Sequence, residues 1–304
     1  MKRKVVKQGP CTLMVSLPAE WTKKFGVIKG DSLDIEEINK DLIISVDKEV
    51  KIQSVEFNAK GLDSKHLKRY VREIYKMGYD EIKIYYDGKN TISELQDYIS
   101  KVLMGYEIVE QHPSSIVIKC ISKVLDNEFE TILRRAFLVT MELSNEILNR
   151  IKVSDFKSLK NVSVLEETND KLTNFCQRVL NKNGYKMYVK THFMYTLVWQ
   201  LEKIADQYNY MCKYLIDNSD IKLDKDVLNV FERTSNLFKE FYELFYNYSK
   251  EKLMSFTKNS KKLIVDLMEL QSNSKAKQDY VLAHLSVIST KIANLTGPVI
   301  GIMI

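Results

Sequence analysis

The chain has 304 residues, 45% of them hydrophobic and 28% charged, which is the composition of a folded protein rather than a collagen or a disordered tail. Only ten glycines and four prolines are present, too few for the many turns of a propeller or sandwich, so long helices are expected. The formal net charge is +6, and residues 1–30 account for all of it, with seven basic residues against Glu20 alone.

No apolar run reaches the ~20 residues of a membrane-spanning helix, and the candidates Phe193–Leu201 and Val299–Ile304 read as core. The opening MKRKVVKQGP is basic without a following apolar signal-peptide core, which points to a cytoplasmic protein. Cys11, Cys120, Cys176 and Cys212 form no CxxC pair and fit no zinc spacing, so they read as small buried hydrophobes in a reducing compartment.

In residues 1–47 the pattern is strand, strand, short helix, strand, strand. Thr12–Leu17 alternates through Leu13, Val15 and Leu17. Pro18 suits a first helical position, Ala19–Phe25 makes two turns, and Gly26 stands where a left-handed stop is wanted. Ser32–Ile38 and Leu42–Val46 follow, separated by a turn at Asn39-Lys40-Asp41. A unit this small buries too little surface to stand alone. A homodimer with interlocked strands would complete it and set two basic arms side by side, suiting a duplex of two-fold symmetry.

LMVSLPAEWTKKFGVIKGDSLDIEEI resembles the SpoVT/AbrB swapped-hairpin DNA-binding fold, through Val15 to Pro18, Trp21, Gly26, the turn Lys29 to Asp31 and the acidic strand after it. The resemblance implies a small swapped-hairpin β-barrel head with DNA contacts at Lys2, Arg3, Lys4, Lys7, Gln8 and Thr12, and at Lys23 and Lys24 beside them. Lysines there would bind phosphate and set register, whereas Arg3 and Gln8 have the geometry for bidentate base contacts. The chain departs from the family at Cys11, where glycine or serine is usual, and at Ala19, where a basic residue is usual. A head that only dimerises is the alternative.

Residues 48–123 read as a small α/β spacer domain. Strands are expected at Val50–Phe57, Glu81–Tyr86, Tyr106–Val109 and Ser115–Ser122, with helices at Lys65–Met77 and Ser93–Met104 and a turn at Asp87-Gly88. His66 and His112 are lone histidines with no catalytic partners in the pattern.

Residues 124–304 carry helical periodicity throughout. Helices are expected at Glu128–Asn149 and then over about 158–182, 186–217, 224–249, 250–272 and 276–303. Six amphipathic helices with short breaks suggest two three-helix bundles, about 124–219 and 220–304. Glu166 and Asp170, and Glu202 and Asp206, are each four apart, which puts both acids of a pair on one helix face. Such repulsion needs solvent, a lysine such as Lys171 or Lys203, or a cation in compensation. One such pair is ordinarily an exposed helix face. If antiparallel helices joined the two pairs, the all-oxygen cluster would suit Mg²⁺, Mn²⁺ or iron, and zinc less well.

Glu166, Asp170, Glu202 and Asp206, with Leu201 to Asp206 as the nearest match, resemble the acidic motifs of PhoU-type phosphate-uptake regulators, two three-helix bundles that hold iron or other metals. The order of head, α/β spacer and helical half is similar to that of archaeal regulators of this kind. The resemblance implies a DNA-binding transcription regulator of phosphate uptake, dimeric, with a sensor or partner-docking helical domain. The alternative is an adaptor that binds no DNA and docks on a phosphate transporter ATPase or a signalling kinase. Aligned helix on helix, the second bundle has Thr257, Lys261, Ser286 and Thr290 at the acid positions, so at most one metal cluster is expected. With no nucleophile–histidine set, phosphate loop or HExxH motif, enzymatic activity is not expected.

Overall fold

A computed structural model describes residues 2–38, 41–46, 53–87, 91–122, 128–274 and 276–304. The turn at Asn39-Lys40-Asp41, the turn at Asp87-Gly88, the start of the strand expected from Val50, and the domain boundaries at 47/48 and 123/124 involve residues outside this set. The chain separates into two compact units, 1–52 and 53–304.

The first unit holds β1 (Val6–Gln8), β2 (Thr12–Met14), α1 (Ala19–Phe25), β3 (Asp34–Ile38) and β4 (Asp41–Ser45). Its strands form two separate antiparallel hairpins, β1–β2 and β3–β4, and no barrel forms among the described residues of this chain. Gly26 ends α1 at φ +63°, the left-handed stop that its position implies. Pro18 stands one residue earlier than expected, extended at the N-cap position. No described side chain of residues 2–46 is buried, and Leu13 and Ile28 are each 70% exposed.

The second unit opens with a four-stranded sheet, in the order β5 (Ser54–Asn58), β6 (Glu81–Tyr85), β8 (Ser115–Cys120), β7 (Tyr106–His112). β5 and β6 are parallel and the other pairs are antiparallel. Helices α2 (Ser64–Lys76) and α3 (Thr91–Val102) cover one face, closing a core of Leu67, Val71, Tyr75, Ile82, Ile99 and Ile118. On β6 the alternate residues Glu81 and Lys83 pair instead with Lys119 and Glu56 across the other face. This is the alternation of a sheet with one apolar side. β7 runs three residues beyond the Val109 end expected from sequence, because a register irregularity between Ile108 and Glu110 breaks the alternation there.

The helical part contains α4 (Phe129–Lys152), α5 (Ser163–Asn183), α6 (Thr191–Asp217), α7 (Lys225–Tyr246), α8 (Lys250–Ser272), α9 (Ala276–Asn294) and α10 (Thr296–Met303). Helices α4, α5 and α6 pack on one another, as do α7, α8 and α9, and the two sets meet through α4 against α7 and α6 against α9. A single apolar core runs through both sets. The expected helix over 276–303 breaks at Leu295, since Pro298 can occupy the first turn of α10 but cannot continue the ladder of α9. Taken as one stretch, Lys277–Met303 is long and apolar enough to cross a membrane by length and composition, with 39% of its most apolar window buried. Its Val281, Leu285, Ile288 and Ile292 belong to the bundle core. The α/β layer and the helices, separated at 123/124 in the sequence reading, pack as one unit, with α2 and α3 both against α5.

All four cysteines are free. Cys176 and Cys212 are buried, and burial pushes the Cys212 thiol up to about 12. Cys11 departs from the expectation of burial: it lies exposed in the β1–β2 turn, where the head has no interior to receive it, and Cys120 is half-buried.

Candidate functional sites

Two sites stand out, a basic surface on the head and an acidic cluster on the helices. On the head, Lys7 and Gln8 lie in β1, and Gln8 pairs in register with Thr12 of β2. Lys2, Arg3 and Lys4 precede β1 outside any helix or strand, and all six side chains are exposed. Lys23 and Lys24 lie in the last turn of α1, where cations also favour the helix dipole, and the Lys24 ammonium sits 5.5 Å from the Phe25 ring centre. Among the described residues these cations are all exposed, and they form an open surface.

The acidic cluster arises because α5 and α6 run side by side. Glu166 and Asp170 on α5 meet Asp206 on α6, each offering one oxygen within 4.8 Å of the others. Burial pushes the Glu166 carboxyl up, partly offset by a hydrogen bond from Asn209, while the charge of Asp206 adds to the rise. Burial also lifts Asp170 well above the usual carboxylate range, reinforced by Glu166, Glu202 and Asp206. Its Oδ1 is buried and accepts no hydrogen bond.

Glu202, the fourth acid of the expected set, is not part of this triplet. It is 2% exposed, and its Oε1 accepts from the Lys203 ammonium at 3.0 Å. Its Oε2 lies 3.8 Å from the ammonium of Lys76 on α2. Burial alone would raise this carboxyl, but Lys76, Lys203 and Arg72 together hold it below its ordinary value. Lys203 also donates to Asp206 at 2.8 Å, so it serves both acids of its own helix. Lys171, the other lysine expected to compensate the acids, donates instead to the Ser100 carbonyl at the end of α3.

The helix expected at Lys65–Met77 is α2, but its charged face was not read as part of the acidic site. Lys65, Lys68, Arg69, Arg72 and Lys76 form a cationic stripe at helical spacing, opposite the apolar stripe of Leu67, Val71 and Tyr75. Such a stripe reads as solvated, yet here its C-terminal member is 5% exposed and turned towards the acids. The second bundle shows a different chemistry at the aligned positions. Thr257 donates to its own helix at the Leu253 carbonyl, and Lys261 and Thr290 are exposed.

Three close carboxylates, one with a buried oxygen lacking a partner, fit a hard cation taking oxygen ligands. Glu166, Asp170 and Asp206 would hold it. Compared with family models, with curated proteins and with solved structures, the chain matches none.

Proposed function

We propose that this chain is a homodimeric, cytoplasmic, DNA-binding transcription regulator of phosphate uptake. Its helical part is a PhoU-like sensor that holds one divalent cation or iron at Glu166, Asp170 and Asp206. The observation that carries this reading is the head itself. All the formal net charge lies in its first thirty residues, its cations are exposed, and none of its described side chains is buried.

A folded unit without an interior gains its stability from a partner. A second copy supplies one, since the apolar edges Leu13, Ile28, Ile35 and Leu42 are all exposed and self-complementary pairing of hairpins would cover them. The swapped-hairpin barrel of the SpoVT/AbrB fold is that arrangement, and it places two basic arms on one side. Cation binding or a partner protein at the helical part would then bias the geometry of the arms.

The test is a salt titration of duplex binding. The account expects affinity to fall steeply with salt, and the variant with Lys2, Arg3 and Lys4 all changed to Ala to lose affinity and flatten that slope. Equal slopes for both proteins would remove the arm from the interface. A second reading, the adaptor that docks on a transporter ATPase or kinase, is favoured by Cys11 and Ala19 at positions where DNA-binding heads carry other residues. It predicts no duplex binding at any salt.

A further inference from the structure

The α/β layer sends one buried cation into the acidic site, and its backbone is fixed there. The Lys76 carbonyl accepts from the Asn181 amide at 2.8 Å, and the Tyr75 and Tyr79 carbonyls accept from Arg178 at 3.1 and 2.7 Å. Both donors stand on α5, the helix that also carries Glu166 and Asp170. Gly78, at φ +99°, lets the chain after α2 pass so close to α5 that an added Cβ would lie 3.2 Å from the Lys182 Cβ. The end of α2 is thus held on the helix that presents the acids. Its side chain leads to Glu202 at 3.8 Å and Glu73 at 3.6 Å.

The charges then pair in a specific way. Glu202 lies between the ammonium groups of Lys76 and Lys203, and Lys203 also pairs with Asp206, so both lysines sit on the acids of α6. Glu166 and Asp170 are gathered with Asp206, while Glu202, the acid of α6 that Lys76 reaches, is the one left out of the triplet.

We propose that Lys76 is the resident counter-cation of the acidic site: by holding Glu202 it limits the cluster to three carboxylates and to one weakly held divalent ion. The site then belongs to two layers of the fold, the acids to the bundle and the limiting cation to the α/β layer. This inference rests on the reading of Glu166, Asp170 and Asp206 as cation ligands.

The test is Mn²⁺ binding to the full chain, stripped with chelator and followed by calorimetry. Four proteins are compared: the unaltered chain, Lys76→Met, the double variant Lys76→Met with Glu202→Gln, and Asp170→Asn. Removing one positive charge this close to the site should tighten Mn²⁺ binding at least ~10-fold in Lys76→Met. The double variant should return to the unaltered affinity, since it removes the freed carboxylate as well. Asp170→Asn should lose binding.

If Lys76→Met binds Mn²⁺ no better than the unaltered chain while Asp170→Asn loses it, Lys76 is not a counter-cation and the cation reading stands. If none of the proteins binds Mn²⁺, both are overturned. Binding by Lys76→Met alone would show that the unaltered site holds no ion, which overturns both the cation reading and the inference as stated. Should Lys76→Met fail to fold without metal, Lys76→Gln keeps a donor towards Glu202 and removes only the charge. It is expected to bind Mn²⁺ more tightly than the unaltered chain, and equal affinity overturns the inference.

Discussion

The head and the second unit solve the same problem in opposite ways. Residues 2–46 contain strands, a capped helix and a left-handed stop, yet bury no described side chain. Residues 53–304 bury two apolar cores and then add polar groups at the seam between the α/β layer and the bundle. Local signals are enough to shape a hairpin or a two-turn helix, but a tertiary interior requires either chain length or a second chain. If the head dimerises as proposed, its stability depends on concentration, whereas that of the second unit is its own.

The largest expected effect is at the seam. Arg178 is 2% exposed, lies 5.2 and 5.0 Å from the ring centres of Tyr75 and Tyr106, and pairs with Asp80 at 2.6 Å. Arg178→Met leaves Lys182 as the cation paired with Asp80 and removes one donor each from the Tyr75 and Tyr79 carbonyls. It should cost about 3–5 kcal/mol in urea unfolding of the second unit, and a loss under ~1 kcal/mol would mean the layers are joined by apolar contact alone.

Next comes the acidic cluster. Asp170 has its carboxyl raised well above the ordinary value by burial, with neighbouring acids adding to the rise, and Glu166 is raised too. A carboxyl raised in the folded state contributes stability that is complete below its unfolded pKa and is lost as pH rises through its folded pKa. The chelated protein should thus weaken as pH rises above the usual carboxylate range. Asp170→Asn should remove most of that slope and stabilise the chelated protein at neutral pH by ~1–2 kcal/mol. Mn²⁺ should raise the Tm of the unaltered chain, more at pH 8 than at pH 5, and leave that of Asp170→Asn unchanged. A pH profile identical for both proteins would contradict the assignment of the buried charge.

A smaller effect on stability, but a complete one on assembly, is expected at the head. Leu13→Asp together with Ile35→Asp should halve the mass seen in sedimentation. The unfolding of the second unit should shift by less than ~0.5 kcal/mol. A chain that is monomeric without these changes at micromolar concentration would break the comparison, because the head would then need a different partner. The smallest effect is in the second bundle. Changing Lys258, Lys261 or Lys262 to Ala should leave metal content as it was, and a loss would show that the helix alignment between the bundles is wrong.

Much of this was legible from local chemistry. Gly26 announced the stop of α1, and the apolar stripes the long helices. The i, i+4 acids announced a shared face, and three of the four do converge. What escaped was set by tertiary neighbours. Lys203 beside Glu202 was legible as a counter-charge, but Lys76, the second lysine on that acid, lies 126 positions earlier in the chain, and no local pattern ties the two together. Lys171 stands on the acidic helix but reaches the carbonyl of Ser100, because α3 offers an acceptor at that level. Val109 sits at the register shift of β7, so alternation ends there although the strand does not.

The central claim is that the exposed cations of the head read a duplex. The most direct measurement is the binding of the purified protein to its own promoter region and to random duplex of equal length, across several salt concentrations. The account predicts tighter binding to the promoter at every salt, with the Lys2, Arg3 and Lys4 variant weakened on both duplexes. Binding that is absent, or equal for the two duplexes, would contradict it.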